Sequence, residues 1–413
     1  ILKYSKPGEL VLDYFCGAGT TAIECKISGR RCIGIDINKE AIELAKRNVS
    51  FSIEKQELSL WREKEQVESY EPELFVGDAR NLSFLNNNSV DLICAHPPYA
   101  NVIHYTNSTE GDLSFLEVDD FLIEMSKVAK ESFRVLKRGR QCAILIGDLR
   151  KRKHVIPLGF KLIDVYLNAG FKLRELIIKR QHNCKTTGFW YKNSIKYNFL
   201  LLAHEYLLVF EKPMSISIKG IKEQEIKYNT ISYIPTNVRI KRKSDGLEST
   251  TVWLFPEKKF EEKLNKNVVK RYSRGNNYSI ITLVSGRNVN QVRGHNRQKE
   301  KDLLFIKSHF LENITPFLSA FEGYLQRIKE IVEKKMVFLK NQGFLVVQTR
   351  DVRIGGYIEP LGKKIIDILS NNKNLYLKEV VVVAEEGVNF KTQDFKEYLK
   401  IAHHYLLVYE VKK

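Results

Sequence analysis

The sequence predicts an α/β protein: a doubly wound parallel sheet followed by a second, diverged α/β domain. Three observations carry that expectation. Short apolar runs bounded by turn residues alternate with helical spacing over residues 1–95. Glycines cluster directly after the first run, at Gly17 and Gly19, where a strand gives way to a helix. A set of residues from the end of the first half then returns in the second half in the same order. A length of 413 residues fits two or three domains better than one.

Taken in order, residues 9–13 read as a buried strand, followed by the glycine turn and a helix through about Ser28. Residues 31–37 are a second strand and 39–49 a second helix. Residues 73–76 and 90–95 are further strands. Apolar side chains at 118, 121, 122, 125, 128, 129, 133 and 136 have the spacing of one helical face. Residues 141–147, 173–178 and 199–210 complete the strands. The repeat is specific: Leu136-Lys137 returns as Leu339-Lys340, Asp148 as Asp351, Arg150 as Arg353, and Pro157-Leu158-Gly159 as Pro360-Leu361-Gly362. Ile163-Asp164 returns as Ile366-Asp367, and residues 203–211 come back nearly intact as 402–410. The expected division is a first sheet domain over 1–213, a basic insert over 214–310, and a homologous second domain over 311–413.

Composition narrows the function. A 43% hydrophobic and 28% charged chain is not disordered. Residues 198–210, a long apolar run, are broken by His204 and Glu205 well short of a membrane span. No secretory signal is visible at Ile1. Six cysteines at 16, 25, 32, 94, 142 and 184 give neither a disulfide framework nor a CxxC pair, so a reducing, cytoplasmic setting without a metal site is expected. The net charge of +18 favours a polyanionic partner. Residues 214–310 concentrate it, with Tyr228, Tyr233, Trp253, Tyr272 and Tyr278 among the bases. Arg239-Ile240-Lys241-Arg242-Lys243 and Lys270-Arg271-Tyr272-Ser273-Arg274 are dense clusters. Such a stretch is either a solvated basic face or a surface combining phosphate contacts with aromatic stacking.

The residues that carry chemistry sit at strand ends. Asp13, Phe15, Gly17, Gly19 and Thr20 form a turn in which backbone can approach a ligand closely. Alone, that turn also matches a nicotinamide-dinucleotide fingerprint. Asp36 ends the second strand, where a carboxylate can accept from ribose hydroxyls or cap a helix. Asp78 follows the third strand and is another acceptor. His96-Pro97-Pro98-Tyr99 comes directly after the fourth strand. Two prolines remove donors, stiffen the chain and leave carbonyls free to accept beside an aromatic ring, which suits a planar base bearing an amine.

In that order these residues resemble the S-adenosylmethionine-dependent DNA amino-methyltransferases, which methylate the exocyclic nitrogen of adenine (N6) or cytosine (N4). The likeness covers roughly residues 1–213, including Ile146-Gly147-Asp148 and the closing strand at 203–210, and partly repeats in the last hundred residues. It implies a Rossmann-like methyltransferase sheet, S-adenosylmethionine as cofactor, and double-stranded DNA as partner, with a cognate restriction endonuclease as the expected setting. Phe15, Gly17 and Gly19 would line the methionine end of the cofactor, Asp36 would hold the ribose, and Asp78 the adenine amine. His96 and the Pro97 carbonyl would accept from the target amine, and Tyr99 would stack on a flipped base. Tyr105 and Trp190, the latter in an aromatic run from Phe189 to Tyr191 between two strands, are candidate substrate contacts. So are Arg239, Lys241, Arg242, Lys243 and Arg271.

Three departures stand out. The family has Asp, Asn or Ser where this chain has His96. Only a neutral imidazole can accept, so activity is expected to fall as pH drops below the His96 pKa. The family's cofactor-capping segment normally precedes the first strand, so the chain is expected to be truncated or to lack a defined start. The second copy has neither glycine turn nor Pro-Pro-Tyr and is expected to be inactive. An RNA methyltransferase acting on adenine or guanine is the main alternative. A non-catalytic nucleic-acid-binding protein is another. A nicotinamide oxidoreductase gives no reason for the diproline corner. Methylation of a cytosine ring carbon is disfavoured because no proline is followed by cysteine.

Overall fold

Four short strands, Leu10–Asp13 (β1), Arg31–Asp36 (β2), Glu73–Val76 (β3) and Val90–Ala95 (β4), supply the apolar runs that a sheet covered on both faces requires. Val11, Leu12, Ile35, Leu92 and Ile93 are fully buried. Leu136–Gly147 (β5) follows, then a ribbon of Leu149–Lys151 (β6) and His154–Ile156 (β7), then Lys172–Arg180 (β8) and His204–Glu211 (β9). The computed structural model describes residues 1–52, 68–100, 110–181, 185–214, 231–236, 247–274, 277–285, 300–308, 318–386 and 398–413. They divide into two units. The first comprises Ile1–Leu149, Pro157–Lys179 and Glu205–Lys219, and the second Arg150–Ile156, Arg180–His204 and Gly220–Lys413.

In the first unit the seven-stranded order is β3-β2-β1-β4-β5-β9-β8. β1 to β5 run parallel, and β9 enters antiparallel beside β5. The order reverses at β1, which opens a crevice outside the carboxyl ends of β1 and β4. Helices Thr20–Ile27 (α1), Lys39–Asn48 (α2), Val118–Val135 (α3) and Leu158–Asn168 (α4) belong to this unit. Asn38 starts α2 by accepting from the Glu40 amide at 2.9 Å, and Lys46 and Arg47 sit where its dipole favours cations. α3 buries Phe121, Met125, Val128, Ala129, Ser132 and Val135 along one face. Each large apolar side chain there contributes about 1.5–3 kcal/mol. The helix ends against Lys212, whose ammonium donates to the carbonyls of Phe133 at 2.5 Å and Leu136 at 2.8 Å.

The second unit carries the helix Lys185–Lys196 (α5) and its own seven-stranded sheet. Its strands are Ile231–Thr236 (β10), Val252–Pro256 (β11), Tyr278–Ser285 (β12), Lys301–Ser308 (β13), Leu339–Thr349 (β14), Leu375–Glu386 (β17) and His403–Val411 (β18). Val352–Ile354 (β15) and Tyr357–Glu359 (β16) form a separate ribbon. Helices Phe260–Tyr272 (α6), Leu318–Met336 (α7) and Leu361–Ser370 (α8) complete it. The sheet order is β10-β12-β13-β14-β18-β17-β11. The run β14-β18-β17 has the same sequence order as β5-β9-β8. The residues that repeat also bond alike: Asp148 Oδ1 accepts from the Gly159 amide at 3.2 Å, and Asp351 Oδ1 from the Gly362 amide at 3.1 Å. Gly159 is required because a Cβ there would lie 2.3 Å from the Tyr206 ring.

Three sequence expectations are corrected. Residues 214–310 are not a separate insert and 311–413 not a separate domain, because β11, β12 and β13 are strands of the same sheet as β14, β17 and β18. The basic clusters masked apolar alternation: Trp253 and Leu303 are fully buried and Tyr272 nearly so. The last strand of the first sheet starts at His204 rather than 199, since Leu201 pairs outside any strand with the Ser249 carbonyl and the Thr251 amide, each at 2.9 Å. Among the described residues no helix is long and apolar enough to cross a membrane.

Candidate active site

The glycine turn is tied down by two carboxylates. Asp13 accepts from the Phe15 amide at 3.0 Å and from the Thr21 hydroxyl at 2.5 Å, and burial pushes its carboxyl up to about 6. Asp36 accepts from the Gly17 amide and the Asn38 amide, both at 2.9 Å. Burial raises the Asp36 carboxyl also. The chain needs glycine at 19, where φ is +86° and a Cβ would stand 2.9 Å from the Ala45 Cβ. Asp78 is gripped by Arg80, whose Nε and Nη2 reach its two oxygens at 2.9 and 2.6 Å. Burial pushes that carboxyl up, but Arg80 outweighs it and holds it below the ordinary range.

These groups surround one cavity of about 720 Å³ in the first unit. Asp13, Phe15, Gly17, Thr20, Asp36 and Asp78 line it. So do His96, Pro97 and Pro98, from the corner that follows β4. Gly19 stands behind the wall, shaping the turn. The residues present fit S-adenosylmethionine: left-handed glycines that bring backbone to the surface, carboxylates at two strand ends, and apolar walls from Phe15, Leu113 and Leu145.

Tyr99 does not line the cavity. Its ring packs on Gly147, where a Cβ would lie 3.1 Å from the Tyr99 oxygen. Its hydroxyl donates to Glu205 Oε1 at 2.7 Å, and Lys179 Nζ bridges to Glu205 Oε2 at 2.8 Å. His96 Nε2 sits 3.4 Å from the Tyr99 oxygen and 3.9 Å from Glu205 Oε1. Burial lowers the His96 pKa below its ordinary value, the Glu205 carboxylate raises it, and Lys179 lowers it. The stacking plate expected of Tyr99 is thus a ring anchored by its hydroxyl.

Sequence reasoning missed Glu205, Lys179, Arg80 and Asp112, the last a wall residue whose carboxylate accepts from the Ser114 amide at 2.8 Å. One signal for Glu205 was present. In the repeat, Glu205 corresponds to His404 and Gly147 to Arg350, so the copy without Pro-Pro-Tyr also lacks both groups that hold Tyr99. Of the remaining candidates, Trp190 lies on α5, in the stretch expected between two strands, and is 42% exposed. Arg271 is a correction: it is buried, and its Nε donates to the Glu248 carbonyl at 3.0 Å, so it supports a loop instead of facing a phosphate. Tyr105, Arg239, Lys241, Arg242 and Lys243 lie outside the described residues. Among the described residues no group of three or more His, Cys, Asp or Glu could hold a metal ion.

The strand order, the glycine turn with its acidic strand ends, and the diproline corner on the same cavity define an S-adenosylmethionine-dependent methyltransferase with a Rossmann-like sheet. More narrowly, the chain belongs to the DNA methylase family, whose model matches residues 1–47 and 90–317. Among curated relatives, the Type II methyltransferase M.HpaI of Haemophilus parainfluenzae is 53% identical over 49 residues, 12% of this chain and 16% of that protein. The Type II methyltransferase M.MthZI of Methanothermobacter thermautotrophicus is 23% identical over 171 residues, 37% of this chain and 48% of that protein. The chain therefore spans less than half the length of these relatives. A solved SAM-dependent methyltransferase from Methanosarcina mazei is 17% identical with a TM-score of 0.34, over 52% of this chain and 97% of that one.

Proposed function

We propose that this chain transfers a methyl group from S-adenosylmethionine to the exocyclic amine of adenine or cytosine in duplex DNA, with the target base flipped into the first unit's cavity. One observation carries the reading: a single cavity is walled by the Gly17 turn, Asp36 and Asp78, and also by His96, Pro97 and Pro98. The family match and the Type II relatives support DNA over RNA, and a restriction–modification setting. The second unit is proposed as a diverged, inactive copy that contributes DNA contacts, with Trp190 and the basic residues Arg239, Lys241, Arg242 and Lys243 as candidates.

Bound in the cavity, S-adenosylmethionine supplies an electrophilic methyl on a sulfonium. An aromatic amine is a poor nucleophile because its lone pair is delocalised into the ring. His96 and the Pro97 carbonyl accept the amine hydrogens, oppose that delocalisation and fix the nitrogen for in-line attack. The hydrogen-bond inventory supports Nδ1 as the acting imidazole nitrogen. Burial raises the Glu205 carboxyl, but Lys179 and Tyr99 hold it below its ordinary range, so it is ionised and can only accept. Tyr99 must therefore donate to it at 2.7 Å. The Tyr99 oxygen then offers a lone pair to His96 Nε2 at 3.4 Å. Nε2 carries the proton, and Nδ1 is the acceptor for the target amine. Tyr99 and Glu205 are positioning residues in this scheme.

The test is methyl transfer from tritiated S-adenosylmethionine to duplex DNA and to structured RNA, followed by nucleoside analysis. Label in N6-methyladenine or N4-methylcytosine of the duplex is expected. Label confined to RNA, or absent from both while cofactor still binds, overturns the reading.

A further inference from the structure

The second unit holds a cavity of about 540 Å³ that methyl transfer does not use. It lies at the amino-terminal edge of its sheet, where Asp302 begins β13, Lys340 and Phe344 open β14, and Lys378 stands near the start of β17. In the first unit the cofactor cavity occupies the opposite, carboxyl edge of β1 and β4. The second cavity is therefore not the remnant of a cofactor pocket.

Its charges do not cancel. The wall carries two carboxylates, Asp302 and Glu410, against the basic side chains of Lys270, Arg271, Arg274, Lys340 and Lys378. Asp302 pairs with Lys340 at 3.0 Å, and Glu410 Oε2 lies within hydrogen-bond distance of His154 Nε2 at 3.0 Å. Lys378 is only 6% exposed and has no hydrogen-bond acceptor or ion pair among the described residues. Its ammonium stands 5.8 Å from the centre of the Phe344 ring. Burial pushes its pKa down, Glu410 and Glu379 pull it up, and Arg150 and Lys153 push it down again. At the rim, Arg274 uses its backbone amide on Asp302 at 3.1 Å, while its guanidinium has no acceptor among the described residues. With its stem buried and no protein acceptor within reach among the described residues, the Lys378 ammonium can be completed by an anion in the cavity it lines. Phe344, half-buried in the wall and backed by the buried Tyr272 ring 5.2 Å away, offers an apolar surface next to the cations.

We propose that this cavity binds a nucleotide phosphate, with Lys378 and Arg274 as its donors and the Phe344 side as the neighbour of the base. The phosphate comes either from the backbone of DNA or from a free nucleotide, and the two sources share the same recognition. The site stands independently of the methyl-transfer reading.

The experiment measures binding of pyrophosphate and adenosine monophosphate by calorimetry, and of a fluorescein-labelled 12-base-pair duplex by anisotropy, to the full chain and to Lys378→Met and Arg274→Gln. Lys378→Met is expected to weaken at least one probe about tenfold or more, and Arg274→Gln about threefold, with both effects shrinking as salt rises. Competition between duplex and adenosine monophosphate assigns the backbone as source, and tight nucleotide binding without competition assigns a free nucleotide. S-adenosylmethionine binding should be unchanged in both variants, which separates this site from the first unit's. Lys378→Met removes a buried cation without an acceptor, so its melting temperature should not fall, and Arg274→Gln at the rim provides a second variant that tests the site without touching the core. If no probe binds, or if neither substitution weakens any of them, the proposal is overturned.

Discussion

Replacing Glu205 by Gln should move the acid limb of the pH–rate profile to lower pH. The scheme needs a neutral His96, so kcat/KM falls as pH drops through its pKa, which lies below the ordinary histidine value. Glu205 is the group that opposes this depression. Its oxygen stands 3.9 Å from Nε2. Two unit charges at that separation interact by about 1 kcal/mol in water and about 4 kcal/mol at an effective dielectric near 20. Nearly half of the His96 side chain is exposed, so solvent screening keeps the value near the lower end, about 1–2 kcal/mol, or about one pH unit. Lys179→Met has the opposite sign, because Lys179 depresses the same pKa. Glu205→Gln should also cost about tenfold on the plateau, the rate equivalent of losing one hydrogen bond that fixes the tautomer. The assay is methyl transfer onto duplex DNA from pH 4.5 to 8.5, a range chosen to span roughly two units either side of the free imidazole. An acid limb that stays put in Glu205→Gln, or that rises, refutes the assignment of Glu205 to His96.

Three further outcomes follow from packing and charge. Gly19→Ala must place a side chain at φ +86° and 2.9 Å from Ala45, so calorimetry should show cofactor affinity reduced by about tenfold or more; unchanged affinity would mean the turn does not shape the site. Lys212→Met leaves the carbonyls ending α3 without their donor, and urea unfolding of the first unit should lose about 3 kcal/mol, with a loss under about 1 kcal/mol counting against the cap. Asp351 has its carboxyl pushed up to about 7 by burial, against an ordinary value of 3.8. A raised folded pKa means the protonated form is favoured in the fold, so that stability is present below about pH 4 and lost as pH rises through 7. Asp351→Asn keeps the acceptor for Gly362 and escapes the loss, so its melting temperature should gain on the parent between pH 5 and 8; a constant difference would refute the burial of that charge.

The first sheet was legible because its physics is local. β1 to β4 are short apolar runs with turn residues at both ends, and Asp13, Asp36, Asp78 and His96 sit where those runs stop. The second unit was harder to read because charge density and burial were confounded. Tyr272 sits inside a basic cluster yet is 2% exposed, and the neighbouring Arg271 turns its guanidinium to a backbone carbonyl. A cluster of bases identifies a surface only when the residues between them are polar as well. Here Phe260, Leu264, Val268 and Tyr272 recur on one helical face, a core pattern overlaid on the charge.

Glu205 shows what pattern reading leaves out even where the fold is right. The continuous apolar run 206–210 announces a buried strand, and a strand accounts for every apolar residue in it, so the carboxylate before it passes as a charge at the strand's start. Only the fold brings it within 2.7 Å of a phenol 106 residues earlier in the chain. The repeat offered a second route to the same residue. Where the sequence repeat keeps its pattern but has no Pro-Pro-Tyr, the positions that differ as well point to residues that serve the corner. Gly147 and Glu205 in one copy, Arg350 and His404 in the other, are such positions. An arginine at the Gly147 place would fill the space the Tyr99 ring needs, and a histidine at the Glu205 place would remove the acceptor for its hydroxyl. Both differences converge on one hydrogen-bonded aromatic, the phenol whose oxygen stands 3.4 Å from His96 Nε2.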